Sequence, residues 1–251
     1  MIRYLAATAC ILAGCSTTRQ HLVDHGGRPE APAVVPLIHD AREGEHARIV
    51  GSGVPAGGQR VFTALHVIQR GFPIRTPEEC GRVHAIGGFD ASSVADNAPD
   101  ADDIAWIETH CEHQQTGTLS ASVPPPGTPI VISGYPIGQF AKHDFLTSGI
   151  PEPVTLRGHV IDPPTDLPEI DTRCIWVELP DVNASSMHGF SGGPCAYQDQ
   201  DNNWVVFGIA QYRLGQEYWS LLGHELPIRP RGKKVIIGIA PFPSQWLSDQ
   251  P

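Results

Sequence analysis

Gly189-Phe190-Ser191-Gly192-Gly193-Pro194 is the stretch on which the reading of this chain turns. It sets a hydroxyl nucleophile and backbone donors within six residues. A serine hydroxyl is weakly nucleophilic at neutral pH, so chemistry at Ser191 needs a base to take its proton and N–H groups aimed at the oxyanion that forms. Glycine at 189 and 192 lets the chain turn sharply and lets a substrate carbonyl approach the backbone N–H groups of Gly189 and Ser191. Ser, Gly and Pro also dominate ordinary turns, so the hexapeptide alone leaves a plain turn open.

Two upstream segments supply what the hexapeptide lacks. In Val61-Phe62-Thr63-Ala64-Leu65-His66-Val67-Ile68 an apolar run ends by presenting His66, and 37 positions later Asp103 heads the apolar run Ile104-Ala105-Trp106-Ile107. A carboxylate accepting from one imidazole nitrogen fixes the tautomer whose other nitrogen faces the serine, and it stabilises the imidazolium that follows proton transfer. Singly, a histidine after a strand is most often structural and an aspartate before one is most often a cap. Together, in the order His66, Asp103, Ser191, they predict a catalytic triad that only folding can assemble.

These segments resemble those of the trypsin-like, chymotrypsin-fold serine peptidases. Thr63 to Ile68 is similar to the TAAHVV box, Asp103 to Ile107 to the DIAL box, and Gly189 to Pro194 to the GDSGGP or GNSGGP box. Gly134-Tyr135-Pro136-Ile137-Gly138 and the stretch 147–160 resemble segments of the bacterial high-temperature-requirement branch. The likeness runs from about residue 47 to 248. It implies an endopeptidase of two packed six-stranded antiparallel β-barrels with a short C-terminal helix, the triad lying in the cleft between them and no cofactor. It also implies that Ser185 lies at the base of the pocket for the side chain preceding the cleaved bond, with Ala210, Tyr212 and Arg213 along one wall. No carboxylate stands at Ser185, which disfavours a buried Lys or Arg there; Arg213 and His188 near the rim favour an acidic or polar side chain. The chain departs from the pattern at Phe190, where animal digestive enzymes carry the acid that pairs with a newly cut N-terminus, so that switch cannot operate. Leu65 and Val67 flank the histidine in place of the usual alanine and the cysteine of many animal members.

Composition agrees with an all-β fold. The chain has 251 residues with 26 Gly and 24 Pro, and its apolar segments are short and separated by turn residues. Strands are expected at 47–54, 60–64, 82–88, 103–109, 129–134, 143–149, 153–161, 173–179, 193–198, 203–212 and 234–240. Ile175, Val177 and Leu179 share one face, and Pro243 to Asp249 suits a turn or two of helix. The prolines at 124–126 cannot occupy a central strand and mark the connection between the halves. The expected organisation is therefore a leader at 1–14, a tether at 15–45, a first barrel at 46–122 and a second at 123–251, with no room for a further peptide-binding module.

The N-terminal Met1 to Cys15 has one cation at Arg3, an apolar stretch too short to span a bilayer, and Leu12-Ala13-Gly14-Cys15. This reads as a bacterial lipoprotein signal, with an ordinary secretory leader as the alternative. Cys15 would become the lipid-bearing N-terminus, several acyl chains holding the protein on a membrane far better than one. Ser16 resembles the sorting residue of lipoproteins sent to an outer membrane, with the protein facing the periplasm. Cys80, Cys111, Cys174 and Cys195 then remain, an even number for an oxidising compartment. Three pairings are open, as are four free thiols; Cys80 with Cys111 and Cys174 with Cys195 keeps each bridge within one barrel.

A net charge of −10 argues against a nucleic-acid partner and against polybasic membrane attachment. The partners expected are a protein or peptide substrate and, through the lipid, a membrane. His110, Cys111 and His113 fit no strong zinc spacing, so no metal is expected. A different hydrolase reading stays available: Gly189 to Gly193 also fits the Gly-x-Ser-x-Gly elbow of α/β-hydrolases, with Asp199 and His224 following in that order. Turn-rich sequence after Ser191 opposes it. A catalytically silent binding domain of the trypsin-like kind is the other alternative.

Overall fold

A computed structural model describes residues 31–39, 48–68, 74–75, 103–108, 112–113, 115, 117–137, 152–163, 174–180, 187–214 and 235–248. The N-terminal half forms a five-stranded sheet of β1 (Val35–His39), β2 (Arg48–Pro55), β3 (Arg60–Thr63), β4 (Ile74–Arg75) and β5 (Ala105–Glu108), in the order β4-β1-β2-β3-β5. A four-residue helix, α1 (Leu65–Ile68), follows β3. Among the described residues five strands of the expected first barrel pair in one sheet, and the strand expected at 82–88 lies outside them.

The C-terminal half closes on itself. β7 (Pro129–Gly134), β8 (Val154–Ile161), β9 (Ile175–Leu179), β12 (Val235–Pro241), β11 (Trp204–Leu214) and β10 (Pro194–Gln198) pair in that order, and β10 pairs back onto β7. The result is a six-stranded barrel in which these strands pair antiparallel. β6 (Thr118–Leu119) adds a short parallel pairing to the start of β11, so the chain has joined the second sheet before the prolines at 124–126. The strands expected at 129–134, 153–161, 173–179, 193–198, 203–212 and 234–240 are all present, and α2 (Ser244–Ser248) ends the described chain.

Alternation decides which residues fill the barrel. Ile130 and Ile132 of β7, Ile175, Val177 and Leu179 of β9, Phe207 of β11 and Ile237 and Ile239 of β12 form one buried cluster. Their neighbours Val131, Val206 and Ala240 point the other way, into a cluster shared with Leu37, Val54, Val61, Phe62, Ile104 and Ile107 of the N-terminal sheet. Successive side chains face opposite sides of a strand, so barrel strands buried on both faces have one core inside and a second against the other sheet. Each such side chain contributes roughly 1.5–3 kcal/mol on leaving water.

One expectation about organisation is corrected. The tether expected over 15–45 contains β1, which pairs with β2 from Val35↔Gly53 to His39↔Arg48. The reason is the apolar run Val34, Val35, Leu37 and Ile38, all buried, which the surrounding prolines and charges conceal in a compositional reading.

Candidate active site

Sheet register brings His66 and Asp103 together. β3 and β5 pair antiparallel with Thr63 opposite Ala105. Two steps out of β3 and two steps back from β5, Leu65 donates its N–H to the Asp103 carbonyl at 3.2 Å. The next residue, His66, then stands over the carboxylate. Asp103 grips it twice: Oδ1 accepts from the His66 backbone N–H at 2.7 Å, and Oδ2 pairs with Nδ1 of the ring. An imidazole whose Nδ1 proton is directed at the carboxylate carries its lone pair on Nε2. The ring is about 41% exposed and the carboxylate 15%, so the imidazole is reachable while its partner is sheltered.

The Ser191 segment is fixed against the same part of the N-terminal sheet. The Ser191 carbonyl accepts from the Ser52 N–H at 2.9 Å. Gly192 has φ +82°, and a Cβ there would stand 2.2 Å from the Ser52 carbonyl oxygen, 2.2 Å from Thr63 Oγ1 and 2.8 Å from the Ala64 nitrogen, only two residues before His66. Only glycine permits so close an approach in that conformation. Among the described residues the Ser191 hydroxyl makes no hydrogen bond.

Peptide planarity orients the two backbone donors. The His188 carbonyl accepts from the Ile137 N–H at 2.7 Å, and the Phe190 carbonyl accepts from the Gly193 N–H at 2.8 Å. In a trans peptide the N–H points opposite to the C=O. Both carbonyls are held inward, so the Gly189 and Ser191 N–H groups on the far side of those two peptides are turned away from these anchors. Neither N–H has a hydrogen-bond partner among the described residues. Two unused donors beside a hydroxyl are the groups that a developing oxyanion requires.

Phe190 anchors the turn between them. It is 2% exposed and packs in the barrel core with Ile132 and Met187, with its ring against Gly134. Burial of an aromatic ring here holds the loop by an interaction that does not titrate.

The remaining sequence expectations divide. Ala210 is buried on β11 and stitched to the loop on both sides, its N–H donating to the Gly193 carbonyl at 2.9 Å and its carbonyl accepting from Gly192 at 2.8 Å. Tyr212 and Arg213 continue β11, paired with Gly238 and Ile237. Ser185, Cys15, Cys80, Cys111, His110 and His224 lie outside the described residues. His113 is buried, its N–H donating to the Gly58 carbonyl at 2.8 Å. Cys174 and Cys195 are not bridged: both are free and buried. Cys195 faces the barrel interior, where burial pushes its thiol well above its ordinary pKa, while the Cys174 thiol lies 3.6 Å from Gln211 Oε1. Two cysteines in one barrel are not thereby neighbours.

The α/β-hydrolase alternative is removed by the fold. Ser191 leads into β10 of an antiparallel barrel, not from a parallel strand into a helix. Asp199 is spent on its own turn, accepting from the Asp201 and Asn203 N–H groups at 2.9 and 2.8 Å.

Sequence reasoning missed Ser52, Thr63 and Tyr135. Ser52 and Thr63 are fully buried polar residues, and Tyr135 is 1% exposed. The available signal was a serine between two glycines inside an apolar strand, Gly51-Ser52-Gly53. Its partners, 83 and 137 residues away, leave no local trace.

No protein-family model and no curated protein matches the chain. Solved structures do. An active-form crystal structure of the Rv3671c protease from M. tuberculosis is 16% identical with a TM-score of 0.48, over 83% of this chain and 76% of that one. An inactive-form structure of the same protease is 15% identical with a TM-score of 0.46, over 82% and 83%.

Proposed function

We propose that this chain is a serine endopeptidase that hydrolyses peptide bonds of envelope proteins through an acyl-enzyme. The observation that carries the reading is the double grip of the Asp103 carboxylate on His66, which leaves Nε2 as the free base. In the mechanism, His66 Nε2 takes the Ser191 proton as Oγ attacks the scissile carbonyl carbon. The carbonyl oxygen, now negative, is held by the Gly189 and Ser191 N–H groups. Collapse of this intermediate expels the amine, which receives the proton from His66 and leaves an ester on Ser191. Water then attacks the ester, giving its proton to His66, and the carboxylic acid departs as Ser191 recovers its hydrogen. Asp103 stays ionised throughout and stabilises the imidazolium.

Peptide rather than ester or nucleic-acid substrates are supported by the sequence resemblance and by the net charge of −10. Ser185, Ala210, Tyr212 and Arg213 are proposed to line the specificity pocket. Cys15 is proposed to carry the lipid that places the enzyme on the outer membrane, facing the periplasm.

Covalent labelling with a fluorophosphonate tests the chemistry. The wild-type protein should label at Ser191, and Ser191→Ala and His66→Ala should not. Wild-type protein that stays unlabelled would point instead to a catalytically silent binding domain.

A further inference from the structure

We infer that Ser52 is a positioning residue for the oxyanion donors, an assignment that rests on the acyl-transfer reading above. Ser52 lies on β2, outside the three segments that suggested the triad, and is fully buried. Its three polar groups make four hydrogen bonds. The hydroxyl donates to the Gly189 carbonyl at 2.6 Å and accepts from the Tyr135 N–H at 3.0 Å. Its N–H donates to the Ser191 carbonyl at 2.9 Å, and its carbonyl accepts from Thr63 Oγ1 at 2.8 Å.

One residue of the N-terminal sheet thus holds the carbonyls at both ends of Gly189-Phe190-Ser191. The same residue is tied to Thr63, three positions before the base. Register between the half that carries His66 and the half that carries Ser191 therefore passes through Ser52.

The hydroxyl matters more than ordinary packing because of what it holds. Gly189 has φ +97°, and a Cβ there would stand 2.1 Å from the Tyr135 carbonyl oxygen, so this position must be glycine. Glycine is also the residue whose flanking peptides rotate most freely. Three hydrogen bonds oppose that rotation: the Ile137 N–H on the His188 carbonyl before Gly189 and, after it, Ser52 Oγ on the Gly189 carbonyl and the Phe190 N–H on the Met187 carbonyl at 3.1 Å. Only a group that donates and accepts at once can bridge the Gly189 carbonyl and the Tyr135 N–H. Without it the peptide after Gly189 keeps only the 3.1 Å bond from the Phe190 N–H to the Met187 carbonyl, so the torsions about Gly189, and with them the direction of its N–H, are less firmly held.

The test compares wild type, Ser52→Ala, Ser52→Cys and Ser191→Ala. Fluorophosphonate labelling is read first, then hydrolysis of 4-nitrophenyl acetate and inhibition by phenylboronic acid, whose serine adduct is tetrahedral. Losing an oxyanion donor outright lowers kcat by about a hundredfold to a thousandfold, so mispositioning one in Ser52→Ala should lower kcat by roughly tenfold to a hundredfold. KM should change less than about twofold, since ground-state binding does not use these donors. Phenylboronic acid affinity should fall in parallel with kcat. Ser52→Cys, which keeps a weak donor of similar size, should fall between and supplies the reading if the alanine variant does not fold. A lowered melting temperature with kcat and phenylboronic acid affinity unchanged would overturn the assignment and leave the hydrolase reading standing. Wild type that neither labels nor hydrolyses the ester would overturn both.

Discussion

Asp103→Asn separates orientation from chemistry at one atom. Oδ1 of Asp103 accepts from the His66 backbone N–H at 2.7 Å. In the variant the amide oxygen must keep that role, because an NH2 group there would face another donor. The amide nitrogen is then forced onto the position of Oδ2, where it donates to His66 Nδ1. Nδ1 must accept, the ring proton moves to Nε2, and the nitrogen proposed to take the Ser191 proton can no longer act as base. A wrong tautomer of this kind costs about 10⁴ in rate, equal to about 5.5 kcal/mol of transition-state stabilisation. Stability should change by no more than about 1–2 kcal/mol, because both positions keep a hydrogen bond. The assay is the second-order rate of Ser191 labelling by a fluorophosphonate at pH 7, with a urea melt alongside. Labelling within about tenfold of wild type in a folded variant would refute the assignment of His66 as the base that Asp103 orients.

Gly192→Ala should destabilise by about 2–5 kcal/mol in urea denaturation. About 1–2 kcal/mol comes from left-handed backbone and about 1–3 from overpacking against the Ser52 carbonyl and Thr63 Oγ1. Gly127→Ala, at φ +86° with nothing within 4 Å, should show only the backbone cost and serves as the matched control. Thr63→Val keeps the shape but leaves the buried Ser52 carbonyl without its 2.8 Å donor, so a loss of about 1–3 kcal/mol is expected in the same measurement. Cys195 should resist iodoacetamide at pH 8 in the native protein and react after denaturation, as read by peptide mass mapping, because burial raises its thiol pKa. By linkage, its contribution to stability is full below the unfolded thiol pKa of about 8.5 and is lost as pH rises above it. Cys15→Ser should abolish incorporation of labelled fatty acid and move the protein from membrane to soluble fractions; unchanged fractionation would exclude the lipid anchor.

The local contexts of the candidate site were legible because each is set by neighbours in the chain. An apolar run ending at His66, an aspartate opening another, and glycines around Ser191 are properties of a few consecutive residues. The barrel strands were legible for the same reason. Ile175, Val177 and Leu179 declare their common face by spacing alone, and they do share the barrel core. β1 was hidden because a short apolar run among prolines and charges carries no contrast in composition. The pairing of Cys174 with Cys195 failed because membership of one barrel says nothing about adjacency: Cys195 points into the core, whereas Cys174 lies by Gln211.

What the sequence by itself determined was the inventory: a hydroxyl between glycines, an imidazole, a carboxylate and strands that alternate. Tertiary structure decided how these are held. The β3–β5 register turns a separation of 37 residues into a two-point grip on His66. Closure of β10 onto β7 brings Gly134 and Tyr135 beneath the Ser191 loop, where the Phe190 ring packs on Gly134. Ser52 acquires its role only there, since a hydroxyl's importance depends on which carbonyl and N–H folding brings within its 3 Å reach, and both come from the opposite half of the chain.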